Sequence, residues 1–126
     1  MTPQQIVQAL PENYTGKERG AEIALSPDAK SVLVSLSGAD LLSVLSINDN
    51  TEMIWLTQSI GSGGKTPRFF TVVVPTSTVL IAHEASDTIG RVAFTTQGLD
   101  VTGVEHCVNI ASPSSIVLRP AAAQPA

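Results

Sequence analysis

The chain has 126 residues, 43% hydrophobic and 14% charged, which is enough apolar material for one folded domain and argues against disorder. Its net charge of −4, with seven basic residues scattered between Lys17 and Arg119, leaves no basic patch for nucleic acid. A single cysteine, Cys107, excludes an internal disulfide and is compatible with a reducing compartment. No stretch reaches the roughly 18 apolar residues of a membrane-spanning helix. Met1 to Gln8 lacks the basic and long apolar regions of a signal peptide, so the expected location is the cytoplasm.

In chain order, Gln4 to Leu10 reads as a lone outer strand. Four short Val/Ile/Leu-rich strands follow: Ala21 to Leu25, Val32 to Leu36, Leu41 to Ile47 and Met53 to Ile60. Their separators are Ser26-Pro27-Asp28, Ser37-Gly38-Ala39-Asp40 and Asn48-Asp49-Asn50, residues that favour turns for local backbone reasons. A second set spans Phe69 to Val74, Thr78 to Ala82, Thr88 to Thr95 and Val101 to Val108. Ser115 to Leu118 reads as a lone inner strand, and the Ala/Pro-rich residues 121–126 as a disordered tail. No segment keeps a helical period.

The two sets repeat each other. A shift of 47 positions lays Val32-Leu33-Val34 on Val79-Leu80-Ile81, Asp40 on Asp87, and Val44-Leu45 on Arg91-Val92. A four-stranded unit recurring every 40 to 50 residues or so is the pattern of a β-propeller blade. The expected fold is therefore all-β: about two four-stranded antiparallel blades, at approximately 20–60 and 67–109, with flanking single strands, together making a partial propeller over 1–120. A closed ring needs at least four or so blades. Open blade faces would expose apolar surface, so the chain is expected to pair with a second copy or with a complementary propeller piece.

Several motifs resemble one family. Leu10-Pro11-Glu12-Asn13-Tyr14-Thr15-Gly16, Ala21-Glu22-Ile23, Ser26-Pro27-Asp28 and Gly63-Gly64-Lys65-Thr66-Pro67-Arg68-Phe69 look like the lactonase family of seven-bladed propellers. That family includes 6-phosphogluconolactonases and is related to carboxy-cis,cis-muconate cyclases. Ser112-Pro113 before a short apolar strand also resembles the family's C-terminus, which implies that this chain is the C-terminal third of such a propeller. The resemblance implies hydrolysis of 6-phosphogluconolactone or a similar anionic sugar lactone, by Arg, Glu and His side chains drawn from several blades. It implies no cofactor. The sequence departs from the family at three places: Ser37 stands where the Asn-Arg-Gly turn carries its Arg, Ala29 where Ser-Pro-Asp is followed by Gly, and Ala82-His83-Glu84 where Ala-Asn-Gln is usual.

The candidate catalytic residues are Glu22, Arg68 and Glu84; the candidate substrate-binding residues are Arg68, Lys65 and His83. Arg68 can grip a phosphate or carboxylate through two parallel N–H donors, or it can pair with a nearby carboxylate. Glu22 is placed at the position matching Arg68 one blade earlier, where the two could approach near the channel. Glu84 lies 16 residues after Arg68 and, with His83, is a candidate acid–base group or a charged surface turn. His106 and Cys107 are adjacent and point to opposite faces of a strand, so they share neither a metal nor a proton; Cys107 is expected to be buried and inert, and no metal site is expected. Trp55 and Phe94 read as core. Gly61 to Thr66 resembles a phosphate-binding loop in outline, but Ser59 stands at the first required Gly and a strand follows in place of a helix. Two functions remain open: a lactonase-family piece that is inactive alone, and a non-catalytic propeller remnant or interaction module.

Overall fold

Strands form where Val, Ile, Leu and Phe cluster between turn residues, and the chain builds two stacked antiparallel sheets. The structure is a computed structural model and describes residues 5–16 and 18–120. The first sheet runs in sequence order through β1 (Gly20–Leu25), β2 (Ser31–Leu36), β3 (Leu41–Ile47) and β4 (Ile54–Gly61). The second contains β5 (Pro67–Val73), β6 (Thr78–His83), β7 (Thr88–Thr95), β8 (Gly98–Leu99) and β9 (Glu105–Asn109). The repeat holds in register as well as sequence. Ile23 pairs with Val34 and Leu33 with Val44 in the first sheet; Phe70 pairs with Ile81 and Leu80 with Arg91 at the same offsets in the second.

The core lies between the sheets. Leu33, Leu42 and Val44 of the first sheet meet Phe70, Val79, Ile81, Val92, Phe94 and Leu99 of the second. Each such side chain contributes about 1.5–3 kcal/mol when it leaves water, so this stack is the main source of stability. On the far side of the first sheet Ile23 and Leu25 stay 65% and 54% exposed, and Val108 stays 47% exposed on the second.

A recurring clasp joins successive sheets. Asp40 and Asp87 end the equivalent turns at φ of 58° and 57°, a left-handed conformation that Asp tolerates because its side chain can bond locally. The Asp40 carbonyl accepts the Ser62 N–H at 2.8 Å and its Oδ1 accepts the Thr66 N–H at 2.8 Å. Asp87 does the same with Ile110 at 3.0 Å and Ser112 at 2.9 Å. Each clasp therefore holds the residue before a buried proline, Pro67 or Pro113. Gln58 adds a second tie, donating to the Leu99 carbonyl at 2.8 Å and accepting the Leu99 N–H at 2.9 Å.

Some expectations change. The strand expected over Val101–Val108 forms only from Glu105, as β9, and the short β8 precedes it at Gly98–Leu99, where a turn was expected. Asp100 turns the chain there, its Oδ1 accepting the Thr102 N–H at 2.9 Å, and Gly103 follows at φ 99°. Residues 5–10 and 115–118 form no strand. The first stretch still sits like an outer strand: Gln5 brackets Ile54 with two hydrogen bonds, at 2.6 and 2.8 Å, much as Gln58 brackets Leu99. Gln4 and the tail 121–126 lie outside the described residues. Trp55 is 47% exposed, since β4 is an edge strand, while Phe94 is buried as expected. Cys107 is exposed rather than buried, because it lies on β9, whose outer edge is uncovered. Ala29, where the family has Gly, takes φ 61°, a conformation that carries steric cost for a Cβ.

Removing the Asp40 carboxylate should cost about 2 kcal/mol of unfolding free energy, from a lost charge-assisted bond and a strained backbone. Urea denaturation of Asp40→Ala and Asp40→Asn tests this: the Asn variant should lose less than half as much, and equal stability of Asp40→Ala and wild type would refute the clasp.

Candidate functional site

The clasp positions a charged pair. Once Asp40 holds the Thr66 N–H, the Thr66 carbonyl accepts two further N–H groups, from Arg68 at 2.7 Å and from Glu84 at 3.0 Å. Arg68 sits at the bulge that opens β5, between the Pro67–His83 and Phe69–Ala82 pairs. Glu84 begins the turn directly after β6. Their side chains face each other, with Arg68 Nη1 to Glu84 Oε1 at 3.9 Å, and both reach solvent (58% and 35% exposed). At 3.9 Å the pair is an ion pair beyond hydrogen-bond length.

Beside it, a groove of about 340 Å³ opens between the starts of β1 and β5. Its walls are Arg19, Gly20, Ala21, Ser37, Thr66 and Arg68. The first sheet repeats the backbone arrangement: the Arg19 carbonyl accepts the Ser37 N–H at 2.8 Å and the Ser37 hydroxyl at 3.1 Å, as Thr66 accepts from Glu84. Ser37 is thus the counterpart of Glu84.

The remaining candidates lie elsewhere. By register the counterpart of Arg68 is Ala21, and Glu22 matches Phe69, so Glu22 does not occupy the position matching Arg68. The Glu22 Oε1 accepts the neighbouring Ile23 N–H at 2.8 Å, and among the described residues no ion pair joins Glu22 to Arg68. Lys65 reaches the Asp40 carboxylate at 3.5 Å and is 75% exposed. His83 is 1% exposed. Its Nε2 donates to the Ser62 carbonyl at 2.7 Å, and the Thr88 hydroxyl lies 3.3 Å from Nδ1 as donor in that tautomer. Gly64 makes room for the ring, because a Cβ there would lie 2.6 Å from it. Burial pushes the imidazole below its usual range, opposed by the bond to the Ser62 carbonyl and by the Asp40 carboxylate. Among the described residues no group of three His, Cys, Asp or Glu side chains could hold a metal.

Residue-type motifs missed Asp40, Thr66 and Arg19. The overlay of Asp40 on Asp87 was the available signal for the clasp. Arg19 carries no motif, and only the folded chain brings it beside Arg68.

The sequence matches the profile of the family described as Lactonase, 7-bladed beta-propeller, over residues 1–118. The chain belongs to this seven-bladed lactonase family. Among solved structures, a Lactobacillus plantarum protein matches 86% of this chain and 32% of its own, at 23% identity and a TM-score of 0.75. The Pseudomonas aeruginosa periplasmic gluconolactonase matches 83% of this chain and 29% of its own, at 24% identity and a TM-score of 0.71. These likenesses support the fold. An uncharacterized Staphylococcus aureus protein (strain USA300) is 31% identical over 80 residues, 64% of this lactonase-family chain and 23% of its own. The chain thus spans about a quarter to a third of the length of such relatives.

Because His83 is neutral in the fold, its contribution to stability is complete above the unfolded pKa of about 6.5. That contribution is lost as pH falls towards the depressed folded value, since only the unfolded chain then takes up the proton, with a slope of at most about 1.4 kcal/mol per pH unit. Urea midpoints measured from pH 7.5 to 5 should fall for wild type and fall less for His83→Asn; identical slopes would show that His83 is not the titrating group.

Proposed function

We propose that this chain supplies two blades of a lactone hydrolase, and that Arg68 and Glu84 are its contribution to the active site. The observation that carries the reading is the Arg68–Glu84 pair, hung on one carbonyl at the open end of an inner strand in a lactonase-family fold. The favoured substrate is 6-phosphogluconolactone or a similar anionic sugar lactone. The gluconolactonase name of the P. aeruginosa neighbour is consistent with that class.

In this reading Arg68 binds an anionic oxygen of the ligand through its planar fork. Glu84 accepts a proton from water as its oxygen attacks the lactone carbonyl. The acyl–oxygen bond of the ring then breaks, and the proton passes to the released alkoxide, leaving a hydroxy acid. Other blades, from the same or another chain, complete the site with the groups that Glu22 and His83 do not bring to the groove. The exposed Ile23 and Leu25 support such an association. The unpaired cysteine supports a cytoplasmic location, although the P. aeruginosa relative is described as periplasmic.

A second reading, a non-catalytic propeller module, is favoured by one observation. Ser37 puts a hydroxyl engaged with its own backbone neighbourhood where the family carries a cation. The two readings separate when the protein is purified from its own cells, so that any associated blades accompany it. Lactone hydrolysis should co-purify and fall by about 100-fold or more in Arg68→Ala and Glu84→Gln with assembly size unchanged. No hydrolysis, or hydrolysis indifferent to both substitutions, would leave the non-catalytic module.

A further inference from the structure

We infer that Arg19 is a second anion-binding residue, forming with Arg68 a two-guanidinium seat for the phosphate or carboxylate of the ligand. The inference rests on the lactonase reading above and names which end of the ligand the groove holds.

Four observations lead there. The groove between β1 and β5 is lined by two arginines and no carboxylate, in a chain whose net charge is −4. Two cations facing one opening are therefore a local departure from the protein's overall sign, and they would concentrate anions there. Secondly, no ion pair holds the Arg19 guanidinium among the described residues. The adjacent Glu18 does not neutralise it by contact, since both its carboxylate oxygens are shielded and without a hydrogen-bond partner. Arg68 touches Glu84 only at 3.9 Å, which is beyond hydrogen-bond length, so its donors remain available too.

The third observation concerns Ser37. Its N–H and hydroxyl both donate to the Arg19 carbonyl, at 2.8 and 3.1 Å. Ser37 thus anchors the backbone of an arginine lining the same groove. Fourthly, Gly20 and Ala21 form a low wall, and a Cβ built on Gly20 would meet nothing within 4 Å. The volume of about 340 Å³ suits a small ligand with a phosphate at one end.

The test is calorimetric titration of the purified protein with 6-phosphogluconate and, separately, with inorganic phosphate. Arg19→Ala should weaken 6-phosphogluconate binding by about tenfold or more, and Arg19→Lys should restore part of it as a point charge without the fork. Wild-type affinity should fall as salt rises, and Arg19→Ala should show a shallower dependence, which a purely structural role would not produce. Thermal melts of the variants establish that each remains folded. If Arg68→Ala weakens binding and Arg19→Ala does not, the role of Arg19 is overturned and the lactonase reading stands. If wild type purified from its own cells, with any associated blades, binds neither ligand, both fall.

Discussion

The Asp40 carboxylate accepts the Thr66 N–H at 2.8 Å, and the Thr66 carbonyl accepts the N–H groups of Arg68 and Glu84 in turn. The Arg68–Glu84 pair hangs on that relay. Without it, the left-handed Thr66 (φ 57°) before Pro67 would have nothing to offset its backbone cost, and β5 would start elsewhere. The same carboxylate also receives Lys65 and biases the buried His83 towards its charged form, so it joins the turn, the sheet boundary and the charged pair.

Magnitudes divide the labour. The core between the sheets brings several side chains at about 1.5–3 kcal/mol each, whereas a charge-assisted bond such as the clasp contributes about 1.5–3 kcal/mol once. The core therefore holds the sheets together, and the clasp decides how they are offset. The clasp repeats at Asp87: Ser112 and the buried Pro113 stand to it as Thr66 and Pro67 stand to Asp40. Ile23, Leu25 and Val108 remain open on the faces away from the core.

Much of the fold was legible in the sequence, because turn chemistry and apolar runs are local signals. The bounds of Leu41–Ile47 and Thr88–Thr95 follow from the sequence to the residue, and the 47-position overlay is matched by equivalent pairings in the two sheets. The late start of the last strand was hidden, since Val101 looks like strand material while Asp100 and Gly103 impose a turn. The site was only partly legible. Arg68 and Glu84 are both candidates in the sequence, but the approach expected there is of Glu22 to Arg68; the fold puts Glu84 beside Arg68 and leaves Glu22 one register position away from matching it. The burial of His83 and the presence of Arg19 in the groove depend on how the sheets and turns come together, which no linear motif encodes.

The central claim is that the ligand meets this chain at the open starts of β1 and β5. Backbone amide NMR shifts during titration with 6-phosphogluconate test it most directly. The account predicts shifts clustered at Arg19 to Ala21, Ser37, Thr66, Arg68 and Glu84. Shifts clustered in the groove of about 500 Å³ at the other end of β1, around Asp28, Lys30, Gln97 and Gly98, would contradict it.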